Sequence, residues 1–163
     1  MRSKDTVKAS SDTLANGNDR RCGPACREIE FASHPGNLSL MRDFVRQFLK
    51  GLAFSETEKD MMVLGLDEAC TNVIRYAYHG KPDQPICLVC EQSEGGVCFR
   101  LRDYGRQSDP AQFSGRPLDL VQPGGLGIHL IRTAFSLVDY RLQQQGTELI
   151  LAKLHSCGEG ASG

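Results

Sequence analysis

The chain contains no tryptophan, and aromatic residues make up only 7% of its 163 residues. Basic and aromatic side chains are nowhere interleaved, and the formal net charge is −1. No basic footprint therefore argues for a nucleic-acid partner, which needs a positive face. Apolar runs are short throughout, and none approaches the roughly 20 residues of a membrane-spanning helix. The first residues carry charge with no apolar stretch behind them, so no signal peptide and no membrane partner are expected. A Walker A sequence is also missing, which excludes a P-loop nucleotide site.

Seven cysteines, an odd number, occur in a chain without a secretion signal. This favours reduced thiols in a cytoplasm over a disulfide framework. Cys87 and Cys90 form a C-x-x-C, but they fall in an expected strand, where positions three apart face opposite sides. Cys22 and Cys26 are only a loose second pair for zinc. Buried, unreactive thiols fit better.

At 40% apolar and 24% charged residues, the composition is that of one ordinary globular domain. Residues 1–26 are polar and read as a disordered tail. Arg27 to Ala32 alternates, with Ile29 and Phe31 as the inward pair of a first strand. His34-Pro35-Gly36-Asn37 breaks it. Asn37 then caps a helix marked by Leu38, Met41, Phe44, Val45, Phe48, Leu49 and Leu52. Ser55 and Glu58 form a capping box that opens a second helix. Gly80 to Asp83 ends it.

Ile86–Gln92 and Val97–Asp103 read as strands of a hairpin turning at Glu94-Gly95-Gly96. Residues 106–123 lose periodicity and read as a mobile surface segment. Gly124 to Gly127 leads directly into a third helix. Val138 to Leu142 and Thr147 to Leu154 pair as the last hairpin around Gln144-Gln145-Gly146, and residues 156–163 are a flexible tail.

The second helix organises the rest. Glu68 and Asn72 are one turn apart and share a face. Arg75 and Tyr76 follow close to that face, beside an apolar stripe of Met62, Leu66, Ala69, Val73 and Ala77. Asn prefers caps and turns, so its place in mid-helix invites a reason. Alone, this pattern reads first as a solvated polar face.

Other pieces sharpen it. A glycine-led helix N-terminus suits an anion, because free amides and the helix dipole both favour negative charge. Asp103, delivered to a strand end, can accept a hydrogen bond from an exocyclic amine such as that of adenine. Asn72 can give Mg²⁺ one oxygen ligand. Glu68 can take the proton of an attacking hydroxyl, and Arg75 or Arg42 can neutralise a phosphoryl group in transfer.

In this order, Glu68-Ala-Cys-Thr-Asn72-Val-Ile-Arg75-Tyr76, Arg102-Asp103-Tyr-Gly105, Gly124-Gly-Leu-Gly127 and Gly146-Thr147 resemble the GHKL, or Bergerat-fold, ATPases. Within them the chain is most similar to bacterial anti-sigma factor serine/threonine kinases. The resemblance runs from about Phe31 to Leu154 and implies an ATPase domain over residues 27–155. The implied fold is an α/β two-layer sandwich, a mixed, mostly antiparallel sheet with helices on one face.

The resemblance also implies roles. Asn72 holds Mg²⁺ against ATP, and Glu68 is the general base. Arg75 and Tyr76 line the nucleotide. Asp103 binds the adenine amine, with Gly105 beside it and Thr147 supporting that end. Gly125, Leu126 and Gly127 close over the phosphates, and Arg42 lies near the γ-phosphate and the partner.

Two departures stand out. Tyr76 occupies a position often filled by His. Gln107 replaces the last glycine of Asp-x-Gly-x-Gly, where a side chain would stiffen or obstruct the pocket and weaken nucleotide affinity. The implied partners are a sigma factor, a STAS-domain antagonist that accepts phosphate, and a second copy in a homodimer. A non-catalytic binding module and a switch kinase acting on stressosome-type STAS proteins are the alternatives.

Overall fold

In the computed structural model, residues 18–23, 25–107 and 125–156 are described. Six strands form one sheet: β1 (Asn18–Gly23), β2 (Cys26–Ala32), β3 (Pro85–Ser93), β4 (Gly96–Arg102), β5 (Leu137–Leu142) and β6 (Thr147–Leu154). Their order across the sheet is β1-β2-β3-β4-β6-β5, and each neighbouring pair is antiparallel. Among the described residues three α-helices accompany the sheet: α1 (Leu38–Leu49), α2 (Glu56–Asn72) and α3 (Gly125–Ala134).

Alternation places the core. Ile29 and Phe31, Ile86, Leu88 and Cys90, Val97, Phe99 and Leu101, and Leu149 and Leu151 all point to one face and are buried. The helices cover that face with Met41, Val45, Leu49, Met62, Leu66 and Ile131. This is the two-layer sandwich that the resemblance implies.

Local chemistry sets the helix ends. Ser55 Oγ accepts from the Glu58 amide at 3.1 Å, and Glu58 Oε2 accepts from the Ser55 amide at 2.8 Å. The box closes reciprocally, a cap worth about 1 kcal/mol. At α1 Asn37 takes the expected N-cap position but its side chain makes no capping bond; the side-chain cap lies three residues earlier, at His34. Pro35–Asn37 forms a 3₁₀ turn, and His34 Nδ1 accepts from the Gly36 amide. Asn37 itself is already helical, and its side chain donates to the Ala32 carbonyl at 3.0 Å. Gly65 lets α2 and α3 approach closely, since a methyl group there would stand 2.8 Å from the Phe135 ring and 3.1 Å from Ala134 Cβ.

Two expectations change. Composition reads residues 1–26 as a disordered tail, yet Asn18–Gly23 is a strand in register with β2. An open sheet edge offers backbone donors and acceptors to any extended segment, so β1 needs no apolar alternation to form. Residues 1–17, like 108–124 and 157–163, lie outside the described residues. The all-reduced reading of the cysteines fails at Cys26, which is disulfide-bonded; the return of β1 brings other chain alongside it. Cys70 and Cys98 carry free thiols. Cys90 is buried inward, while the Cys87 thiol donates to Glu28 on the open face, so the C-x-x-C does not chelate. Among the described residues no cluster of three His, Cys, Asp or Glu could hold a metal, and no helix is long and apolar enough to cross a membrane.

Candidate functional site

The second helix does not continue evenly to His79. After Asn72 it widens into a π-helical turn, Val73–Ala77, with the Tyr78 amide donating to the Val73 carbonyl at 3.0 Å. Such turns are rare and often mark functional sites. The widening ends the helix so that the Ala77 carbonyl accepts from the Arg106 amide at 2.8 Å instead of from its own helix. One face of this helix, Ala69, Asn72, Val73, Tyr76 and Ala77, forms a wall of a cleft. The opposite wall comes from Leu101, Asp103, Arg106, Tyr140, Leu142, Thr147 and Leu149. Counted together with the open solvent at its mouth, the cleft spans about 620 Å³.

At its inner end sits Asp103, only 5% exposed. Strand β4 ends at Arg102, so Asp103 follows directly and is held on both sides. Its amide donates to the Thr147 carbonyl at 3.0 Å, and the Thr147 amide returns the bond at 3.3 Å. Its carboxylate Oδ1 accepts from the Gly105 amide at 3.0 Å. Burial pushes the Asp103 carboxyl above its ordinary range, against the stabilising pull of the Gly105 and Thr147 amides and the Arg102 guanidinium. A buried carboxylate with unused acceptor capacity among apolar walls suits a ligand N–H donor.

Glycines make the tight approaches possible. A methyl group at Gly105 would collide with the Ala77 carbonyl, and one at Gly146 (φ 74°) with the Asp103 backbone. Gln107 is turned away from the cleft. Its amide donates to the Gly146 carbonyl at 2.9 Å and to the Gln143 carbonyl, tying the Asp103 loop to the β5–β6 turn. Of the two effects expected of this side chain, the structure shows the stiffening one. Arg102 adds to the same scaffold through the Gln145 carbonyl at 2.7 Å and by lying over the Tyr104 ring, 4.3 Å from its centroid.

The other end is looser. Glu68 lies on α2 directly against the first turn of α3, close enough that a methyl group at Gly127 would collide with its carboxylate. The acid therefore stands where α3 presents its N-terminal amides, next to a region suited to anions. Asn72 lines the cleft, and its side-chain amide makes no hydrogen bond among the described residues. Arg42 reaches across from α1 to Asp67 on α2, 2.7 Å away, and is absent from the cleft lining. Arg75 is exposed and does not line the cleft, whereas Tyr76, 41% exposed, does. Gly125 begins α3; the Leu126 side chain lies outside the described residues.

These donors fit a magnesium-bound adenine nucleotide in a specific way. One amide oxygen cannot hold Mg²⁺ alone, but Mg²⁺ characteristically keeps water and phosphate oxygens and takes few protein ligands. A slot lined by Val73, Leu101 and Leu149 with a carboxylate at its end matches a flat base carrying an amine. Tyr140, whose hydroxyl burial pushes up to about 12, stays neutral in that wall. Residues the sequence reading passed over include Tyr140, Leu142 and Arg106 in the lining, Asp67 behind Arg42, and Tyr78. Their signals were weak: each looks like ordinary core or surface until the two walls are brought together.

Residues 31–153 match the histidine kinase-like ATPase domain. The chain is also 30% identical, over 102 residues, to the serine/threonine-protein kinase BtrW of Bordetella bronchiseptica, an alignment covering 60% of this chain and 71% of that protein. With the expected fold, the paired walls and a match spanning most of its length, the chain belongs to the histidine kinase-like ATPase domain family.

Proposed function

We propose that this protein is a Mg-ATP-dependent protein serine/threonine kinase that also acts as an anti-sigma factor. The reading is carried by one observation: Asp103 and the Asn72 side chain, which makes no hydrogen bond among the described residues, line the same cleft; Glu68, one helical turn before Asn72, stands against Gly127 of α3. The name of the similar BtrW chain supports the kinase half. The sigma-factor half rests on the resemblance drawn from the ordered motifs.

In this reading the adenine amine donates to Asp103, and Gly105 and Thr147 hold that carboxylate in place. Asn72 supplies one oxygen to Mg²⁺. Mg-ATP contributes the transferable phosphoryl group. Glu68 accepts the proton of a Ser or Thr hydroxyl on a STAS-domain antagonist as its oxygen bonds to phosphorus and the bond to the departing ADP oxygen breaks. Arg42 exchanges Asp67 for the transferring phosphoryl group or the partner. Arg75, exposed and next in sequence to the cleft-lining Tyr76, would turn to the phosphate tail. A homodimer in the cytoplasm, binding a sigma factor when the antagonist is phosphorylated, completes the proposal.

The orientation of Gln107 bears on the non-catalytic alternative. Its side chain supports the loop and leaves the cleft open, so the substitution gives no reason for a blocked nucleotide site. The test is transfer of labelled γ-phosphate from ATP to STAS-domain proteins that co-purify with the chain. Transfer by the parent, lost in Glu68→Ala, supports the kinase. Saturable ATP binding without transfer to any such protein supports the nucleotide-gated binding module instead.

A further inference from the structure

Tyr78 closes the π turn and is 4% exposed. A phenol this deep needs partners for its hydroxyl. It has two, and they belong to different segments. The hydroxyl donates to the Pro85 carbonyl at 2.6 Å, where β3 begins, and accepts from the Tyr104 amide at 2.8 Å, one residue after Asp103. Close by, the Ala77 carbonyl accepts from the Arg106 amide at 2.8 Å, and Gly105 packs on Ala77 with no room for a side chain. The loop that follows Asp103 is thus fastened at alternate residues to the end of the helix that carries Asn72.

We propose that Tyr78 is a positioning residue for the nucleotide base: its hydroxyl holds the Asp103–Gly105 turn against the π turn, so that the carboxylate is already aimed before the ligand arrives. The inference rests on the nucleotide reading above. Tyr78 does not line the cleft; it acts through Tyr104 and Gly105. Its donor bond to Pro85 matters because it fixes the phenol proton, leaving an oxygen lone pair for the Tyr104 amide. Preorganisation of this kind strengthens binding by removing the cost of ordering the loop on contact. It also sharpens selectivity, since a fixed carboxylate rewards a base that donates an amine and leaves a base presenting a carbonyl unpaired.

The experiment compares the full chain with Tyr78→Phe, which keeps the ring in its packing and removes only the hydroxyl. Calorimetric titrations with Mg-ATP and Mg-GTP are run beside amide hydrogen exchange at Tyr104. The expected result is ATP affinity weakened about tenfold with GTP affinity little changed, so that the preference for ATP contracts. Exchange at the Tyr104 amide accelerates, while exchange in β3 and β4 stays as in the parent. A structural loss alone would weaken both nucleotides together and raise exchange across the sheet, and that outcome overturns the inference. Should the variant not fold, the parent decides: a Tyr104 amide that exchanges as fast as an exposed loop amide, without nucleotide, overturns it equally. If the parent binds no Mg-ATP, the nucleotide reading itself fails. If parent and variant bind ATP alike, only the role of Tyr78 fails.

Discussion

The two ends of the cleft are built differently. At the base end, Asp103 is buried and its loop is tied by backbone bonds to Thr147, by Tyr78 to α2 and by Gln107 to the β5–β6 turn. Around Asn72, which has no partner among the described residues, the charged groups are held less firmly: Arg42, outside the cleft lining, is engaged by Asp67, and Arg75 stands exposed. Preorganised polar groups cost little to use when a ligand binds; loosely held ones must be ordered by it. On the proposed function, the Asp103 end would set base recognition, and the Asn72 end would take its final arrangement from the nucleotide and the acceptor protein. Substitutions at the two ends should separate accordingly into effects on transfer and effects on affinity.

The largest effect belongs to the looser end. Glu68→Gln keeps the shape against Gly127 and removes the base, so phosphate transfer should fall about 10²–10⁴-fold while Mg-ATP affinity, measured by calorimetry, stays within about twofold. Next comes Gly127→Ala. The added methyl group must push the Glu68 side chain aside, and a misplaced base of this kind costs on the order of 10²-fold in single-turnover rate. In the Glu68→Gln background the same change should add little, because the group it displaces no longer acts.

At the tighter end the effect moves to affinity. Asp103→Asn should weaken Mg-ATP binding about 10–100-fold, the size of a hydrogen bond to a charged group, without a proportionate loss of transfer at saturation. Stability should move the other way. Because burial holds the Asp103 carboxyl above its ordinary value of 3.8, the folded protein binds its proton more tightly than the unfolded chain does. The protonated form therefore adds stability below the unfolded value, and that contribution is lost as pH rises through the folded one. Thermal melts at pH 7 should then show Asp103→Asn more stable than the parent, with the gap narrowing as the pH falls toward the carboxylate range. ATP affinity of the parent should fall as pH drops through the raised Asp103 value. The smallest change is Gln107→Ala, which unties one side of an exposed loop; a two- to fivefold loss of ATP affinity is expected.

The same contrast explains what could be read from the sequence. Strands β3, β4 and β6 were legible because one face of each is buried, and burial writes a period of two into the residues. Strand β1 was not, since its pairing depends on backbone groups that every residue carries. The acid and amide of α2 were legible as a helical pair, but the π turn after them was not: it follows from how the helix end meets the Asp103 loop. Asp103 could be found because it ends an alternating run. Tyr78 could not, because its role lies in contacts with Pro85 and Tyr104, distant or unremarkable in the chain. Gln107 was visible as a departure, but its direction, away from the cleft, is a property of the β5–β6 turn it reaches.

Calorimetric titration of Mg-ATP into the parent and into Asp103→Asn, at one pH near 7, bears most directly on the claim that these walls form a single nucleotide site. One saturable site in the parent, weakened at least tenfold in the variant, is the predicted result. Equal binding by both proteins, or no heat from the parent at millimolar nucleotide, would contradict it.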